Sequence, residues 1–137
     1  MTLRYKDVMR ILLADHSEQM LRALKYALVS EPYVQVVAEV RNLENLAVAA
    51  AELLPDLVLL DWQLAKADSK NVIASLHQLR PELTVFAMVV YLEDGRAALA
   101  AGADAIVSKG ESPGWLLATV RRLVTKPGTD SIEEDPL

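Results

Sequence analysis

Short solid runs of apolar residues alternate along this chain with stretches whose apolar positions recur every three or four residues. The first kind of pattern predicts strands buried on both faces, and the second predicts amphipathic helices. Residues 10–14 (Arg-Ile-Leu-Leu-Ala) form the first strand, running into Asp15-His16. Ser17 caps a helix with Met20, Leu21, Leu24, Ala27 and Leu28 on one stripe, stopped at Glu31-Pro32. The β-branched stretch Val34–Val40 predicts strand two, and Asn42 caps a second helix over 43–54. Strand three, Leu57–Asp61, places four apolar residues directly before one carboxylate. A polar loop is expected over 63–68, then a third helix Ser69–Leu79, stopped by Arg80-Pro81. Residues 84–90 predict strand four, and 93–101 a short helix closed by Gly102 as its C′ residue. Ala105–Ser108 is strand five, followed by Lys109, and Pro113 opens a last helix to about Val124.

Five alternations of strand and helix predict an α/β fold with a parallel sheet. With right-handed crossovers, the common single-domain solution is a flavodoxin-like (βα)5 three-layer sandwich of strand order 2-1-3-4-5. Its switch point lies between strands one and three, which end in Asp15 and Asp61. The expected organisation is one domain over residues 1–124 and a disordered acidic, proline-containing tail or linker stump over 125–137.

Composition narrows the picture. With 53% hydrophobic residues in 137, the chain can bury a real core. Its net charge of −5 argues against direct nucleic-acid binding, which needs a basic face. No apolar run reaches the length of a membrane span, so no membrane contact is expected. With no cysteine there is neither a disulfide framework nor thiolate chemistry, which fits a cytoplasmic location.

The candidate chemistry is a pair of strand-end carboxylates, Asp15 and Asp61, with Lys109 beyond strand five. Hard divalent cations bind such oxygen groups, and a metal with a lysine can neutralise a phosphoryl group that a carboxylate attacks. The competing reading is that each carboxylate only caps the turn that follows it. His77 is read as a surface or boundary residue, Trp62 as a loop aromatic at the pocket edge, and Trp115 as core packing.

Three stretches resemble the receiver domain of two-component response regulators: residues 11–16, 55–62 and 101–109 (Ala-Gly-Ala-Asp-Ala-Ile-Val-Ser-Lys). The branch it resembles is the one usually fused to a helix-turn-helix output domain. The resemblance implies that Asp61 accepts a phosphoryl group from a sensor histidine kinase or phosphotransfer protein in a phosphorelay. It implies that Asp15 and His16 fall on the acidic pair holding Mg²⁺, with Asp61 and the backbone carbonyl of Gln63 completing the site. Lys109 falls on the lysine that pairs with the phosphoryl group. Phosphorylation would then shift the surface formed by helix 93–101, strand five and the last helix. Homodimers through the last helices are a further implication.

The chain departs from the family pattern at several positions. His16 replaces an acid, and an imidazole suits Mg²⁺ poorly. Glu18 is the nearby carboxylate that could substitute. Val89 stands where the family has Ser or Thr, and Ile106 where it has Tyr or Phe. Ala65 and Ser69 replace the usual Pro and Gly, and residues 90–95 run two residues short. The alternative reading is therefore a pseudo-receiver, an interaction module whose binding does not depend on phosphorylation. Enzyme readings fare worse. An aspartate-nucleophile phosphatase wants an acid at position 63, which is Gln63, and a flavin binder would not place two acids in its phosphate loop.

Overall fold

The computed structural model describes residues 8–110 and 113–125; within the last segment the side chains at 113, 115 and 123–125 lie outside the description. Five parallel strands make one sheet of order β2-β1-β3-β4-β5. In chain order they are β1 (Met9–Ala14), β2 (Val34–Val40), β3 (Leu57–Asp61), β4 (Thr84–Val89) and β5 (Ala105–Ser108). The helices are α1 (Glu18–Val29), α2 (Leu43–Leu53), α3 (Trp62–Ala65), α4 (Ser69–Leu79), α5 (Leu92–Ala100) and α6 (Pro113–Thr125). The flavodoxin-like order expected from the sequence is the order observed.

Successive strand residues face opposite sides, so a solid apolar run supplies two cores at once. Ile11, Leu13, Leu57, Leu59, Phe86 and Met88 pack with Leu21, Leu24 and Leu28 of α1 and Leu116 and Val120 of α6. Leu12, Ala14, Val58, Leu60, Val85, Ala87 and Val89 pack on the other side with residues of α2, α4 and α5. Every residue of β3 is buried, as its central position demands. Burying each of its leucines contributes about 1.5–3 kcal/mol relative to exposure.

The capping chemistry acts as expected. The Ser17 hydroxyl accepts from the Met20 amide at 3.2 Å, and the Asn42 side-chain Oδ1 accepts from the Asn45 amide at 2.8 Å. Gly102, at φ +113°, ends α5, and the next amide, of Ala103, reaches back to the Ala98 carbonyl at 3.0 Å. A side chain at that φ would be strained, which is why glycine closes this helix.

Two expectations need correction. The segment 63–68 is not a loop: α3 begins directly after β3 and continues as a 3₁₀ turn, Lys66–Asp68. With neither Pro nor Gly between positions 62 and 71, and with Gln, Leu, Ala and Lys among them, nothing opposes helical winding. Trp62 is accordingly no pocket-edge aromatic but a core residue, 5% exposed and packed in the α2/α4 layer. The last helix runs one residue past Val124; the remaining tail, 126–137, and residues 1–7 lie outside the described residues, as does the side chain of Trp115.

Candidate functional site

Parallel register brings the strand ends together. Ala14 pairs with Leu60, and Val89 pairs with Ser108, so β1, β3 and β5 end on one level of the sheet. The residues just beyond or at those ends are Asp15, Asp61 and Lys109. Both carboxylates have no exposed surface. Lys109 Nζ lies 2.9 Å from Asp61 Oδ1, a hydrogen bond, and 2.9 Å from Asp15 Oδ2, an ion pair without hydrogen-bond geometry.

Backbone amides complete the cradle. The Ser17 amide donates to Asp15 Oδ1 at 2.9 Å, and the Gln63 amide donates to Asp61 Oδ1 at 3.0 Å. Each carboxylate therefore does cap the turn after its strand; capping and convergence are both present. Gln63 meets the pocket through this amide. The Lys109 amide is itself held by the Val89 carbonyl at 2.8 Å, which fixes the lysine's backbone to β4.

His16 is the unexpected member. Its amide donates to Asp61 Oδ2 at 3.2 Å, and its ring Nδ1 lies 2.5 Å from the same oxygen. An ionised carboxylate only accepts, so the proton on that contact belongs to Nδ1. The ring lies 3.6 Å from Asp15 Oδ1 and is 57% exposed at the pocket mouth. One atom each from Asp15, His16 and Asp61 fall within 4.8 Å of one another, close enough to share a cation. The backbone carbonyl of His16 receives two donors from the Arg41 guanidinium, at 3.3 and 3.1 Å. Arg41 was not anticipated. The available signal was its place just beyond β2, the strand that neighbours β1.

Burial alone would push the Asp61 carboxyl up. Hydrogen bonds from His16 and Lys109, the His16 amide and the lysine charge together outweigh it and hold the carboxyl below the usual aspartate value. Asp61 is thus held as a carboxylate at neutral pH, which is the form a nucleophile needs.

Other expectations resolve differently. Glu18 does not enter the pocket; it pairs with Arg22 at 3.1 Å on the exposed face of α1, one helical turn away. His77 is a half-buried partner of Asp104, Nε2 to Oδ2 at 2.9 Å, and ties α4 to the turn before β5. Val89 is buried at the end of β4, and Ile106 packs toward α5, where a Cβ on Gly95 would lie 2.7 Å from its Cδ1.

Comparison with known proteins bears on this arrangement. The family model described as response regulator receiver domain matches residues 11–121, most of the chain. The chain belongs to that family. A CheY-like response regulator receiver domain protein from Methanospirillum hungatei JF-1 shares 26% identity at a TM-score of 0.72, over 85% of this chain and 94% of that one. A LuxR-family two-component response regulator from Aurantimonas sp. SI85-9A1 gives a TM-score of 0.75 at 20% identity, over 85% of each chain. The response regulator domain of Thermotoga maritima CheB gives 0.73 at 23%, over 85% and 96%. Likeness at those last two identities speaks for the fold. A protein-glutamate methylesterase/protein-glutamine glutaminase from Syntrophomonas wolfei subsp. wolfei is 38% identical over 61 residues, 44% of this chain. That match spans only 17% of the relative's length, so its named activity stays with that protein.

Among the described residues no helix is long and apolar enough to cross a membrane. The Asp15, His16 and Asp61 set does not match the all-oxygen surroundings Mg²⁺ prefers, because one of its three donors is an imidazole nitrogen.

Proposed function

We propose that this receiver accepts a phosphoryl group on Asp61 from the phosphohistidine of a sensor histidine kinase or phosphotransfer protein. The observation that carries the reading is the placement of Asp61: a buried, ionised strand-end carboxylate whose Oδ1 lies 2.9 Å from Lys109 Nζ. In the step, a carboxylate oxygen forms a bond to phosphorus while the bond from phosphorus to the donor imidazole nitrogen breaks. The Lys109 ammonium then pairs with oxygens of the transferred group. Oδ1 keeps Lys109 and the Gln63 amide, so the attacking oxygen is Oδ2 once the His16 ring swings aside. The exposure of that ring makes such a swing inexpensive. The proposal extends to a cytoplasmic location, to the domain occupying residues 1–124, and to pairing of copies through the last helices. The Gln63 carbonyl and Asp15 remain the proposed metal contacts beside Asp61.

A second reading has its own support. His16 and Lys109 already occupy both oxygens of Asp61, and the buried Val89 offers no hydroxyl beside the pocket. In that reading the cluster is structural and the domain is an interaction module that phosphorylation does not switch.

Intact-mass measurement after incubation with acetyl phosphate, with and without divalent ions, separates the two; a cognate phosphohistidine donor serves as a second arm. The first reading expects one added phosphoryl group, absent from Asp61→Asn. An unmodified chain with every donor and ion would overturn it in favour of the interaction module.

A further inference from the structure

We infer that the pocket of Asp15, His16 and Asp61 is a divalent-cation site whose preference has moved from Mg²⁺ to nitrogen-tolerant ions such as Co²⁺, Ni²⁺ and Zn²⁺. The inference concerns the same pocket as the proposed phosphoacceptor, but it is read without any phosphoryl donor. Three observations support it. The donor set is two carboxylates and one imidazole, with one atom from each inside 4.8 Å. Both carboxylates are completely buried, and Asp15 Oδ2 has no hydrogen bond, only the Lys109 charge beside it. The imidazole is not merely nearby: Nδ1, a ligating atom, faces Asp61 Oδ2 at 2.5 Å and Asp15 Oδ1 at 3.6 Å.

The distances suit an ion of that class. With metal–ligand bonds of about 2.0–2.2 Å, neighbouring donors stand roughly 3–3.5 Å apart. The Asp15–His16 separation is already near that range, and the Asp61–His16 separation reaches it by a small rotation of the exposed ring. For binding, the ring adopts the Nε2–H tautomer, which frees the Nδ1 lone pair. Arg41, clamped on the His16 carbonyl at 3.1 and 3.3 Å, limits how far the loop backbone can move.

Imidazole suits Co²⁺, Ni²⁺ and Zn²⁺, whereas Mg²⁺ takes oxygen donors and gives up its waters reluctantly. Transition ions bind mixed nitrogen and oxygen sites tightly in general, so a higher Co²⁺ affinity alone would not decide the matter. The deciding quantity is the ratio of Co²⁺ to Mg²⁺ affinity and its dependence on position 16.

Isothermal titration of the intact chain with Co²⁺ and with Mg²⁺ gives that ratio. We expect one Co²⁺ per chain, loss of binding in Asp61→Asn, and a ratio that falls roughly tenfold or more in His16→Asp. His77→Gln removes the other histidine and is expected to leave the ratio unchanged. His16→Gln, which lacks the imidazole but adds no charge, is expected to weaken Co²⁺ even if His16→Asp folds poorly. An unchanged ratio in His16→Asp, loss of Co²⁺ binding in His77→Gln, or no Co²⁺ binding at all would overturn the inference. Co²⁺ binding at His16 with no phosphoryl adduct would uphold the site and overturn the phosphoacceptor reading; an adduct without Co²⁺ binding would do the reverse.

Discussion

The two ends of this sheet both hold carboxylates in ion pairs, but they hold them differently. At the amino end, Asp56 accepts the Arg10 amide at 2.9 Å and the Arg80 guanidinium at 3.0 Å, and Arg80 also reaches the carbonyls of Leu54 and Pro55. The delocalised Arg80 charge meets Asp56 and, at 3.5 Å, the exposed Glu82, with the neighbouring backbone tied in. At the carboxyl end, two carboxylates with no exposed surface share a single ammonium, and an exposed imidazole leans over one of them. Paired charge at the amino end fastens loops together. At the carboxyl end, two fully buried carboxylates meet at the Lys109 ammonium. The contrast separates a partly solvated ion pair from two fully desolvated carboxylates within a single fold.

The largest test of that contrast is Lys109→Met. Removing the ammonium that lies between two buried carboxylates is expected to cost about 3 kcal/mol in urea denaturation. Adding Asp15→Asn to that variant is expected to recover part of the loss, because it removes the like charge. Recovery would mark the carboxyl end as short of positive charge; its absence would make it resemble the amino end.

Arg80→Ala comes next, at about 1.5 kcal/mol, since Asp56 keeps the Arg10 amide and a little solvent. A loss as large as that of Lys109→Met would erase the distinction between the ends.

His16→Ala is expected to change stability at neutral pH by less than about 1 kcal/mol, because the ring is mostly exposed. Its clearer effect is on acid stability. The Asp61 carboxyl is lowered in the folded chain, so its contribution is present above the ordinary aspartate value and is lost as pH falls through the lowered one. Without the His16 ring the folded value rises, and that loss begins at higher pH. Melting temperature against pH for the two chains shows the shift, and coincident curves would remove His16 from the account of Asp61.

The smallest effect lies away from both ends. Arg121 grips Glu31 with two bonds, at 2.9 and 2.8 Å, joining the turn after α1 to α6. The hydrogen bond from Arg121 is the main reason the Glu31 carboxyl sits below its ordinary value, with burial opposing and the arginine charge assisting. Arg121→Ala is expected to return the Glu31 titration, followed by NMR, toward that ordinary value, with no change at the pocket.

Much of the fold was legible because its signals are local. Val34–Val40, Leu57–Asp61, Ser69–Leu79 and Ala105–Ser108 fall on the residues read from the apolar pattern, and Ser17 and Asn42 cap as expected. The site was legible in part. Asp15, Asp61 and Lys109 could be placed together once the strand order was known, since parallel strands deliver their ends to one edge. The helical winding after Asp61 is not legible in the sequence, because its polar side chains suit a loop equally well, although no residue there breaks a helix. Trp62 was misplaced for the same reason.

The sequence by itself determined the alternation of strand and helix, the two-sided burial of the strands and the identity of the three charged residues. Those follow from side-chain periodicity, caps and strand ends, which act over a few residues. Only the tertiary structure decided that His16 turns its Nδ1 onto Asp61, 45 positions away, while Glu18 turns to Arg22 on its own helix. It also decided that His77 meets Asp104 and that Arg41 holds the His16 carbonyl. Those choices depend on the path of the backbone between distant segments and on which oxygens other groups already hold. No local pattern encodes either.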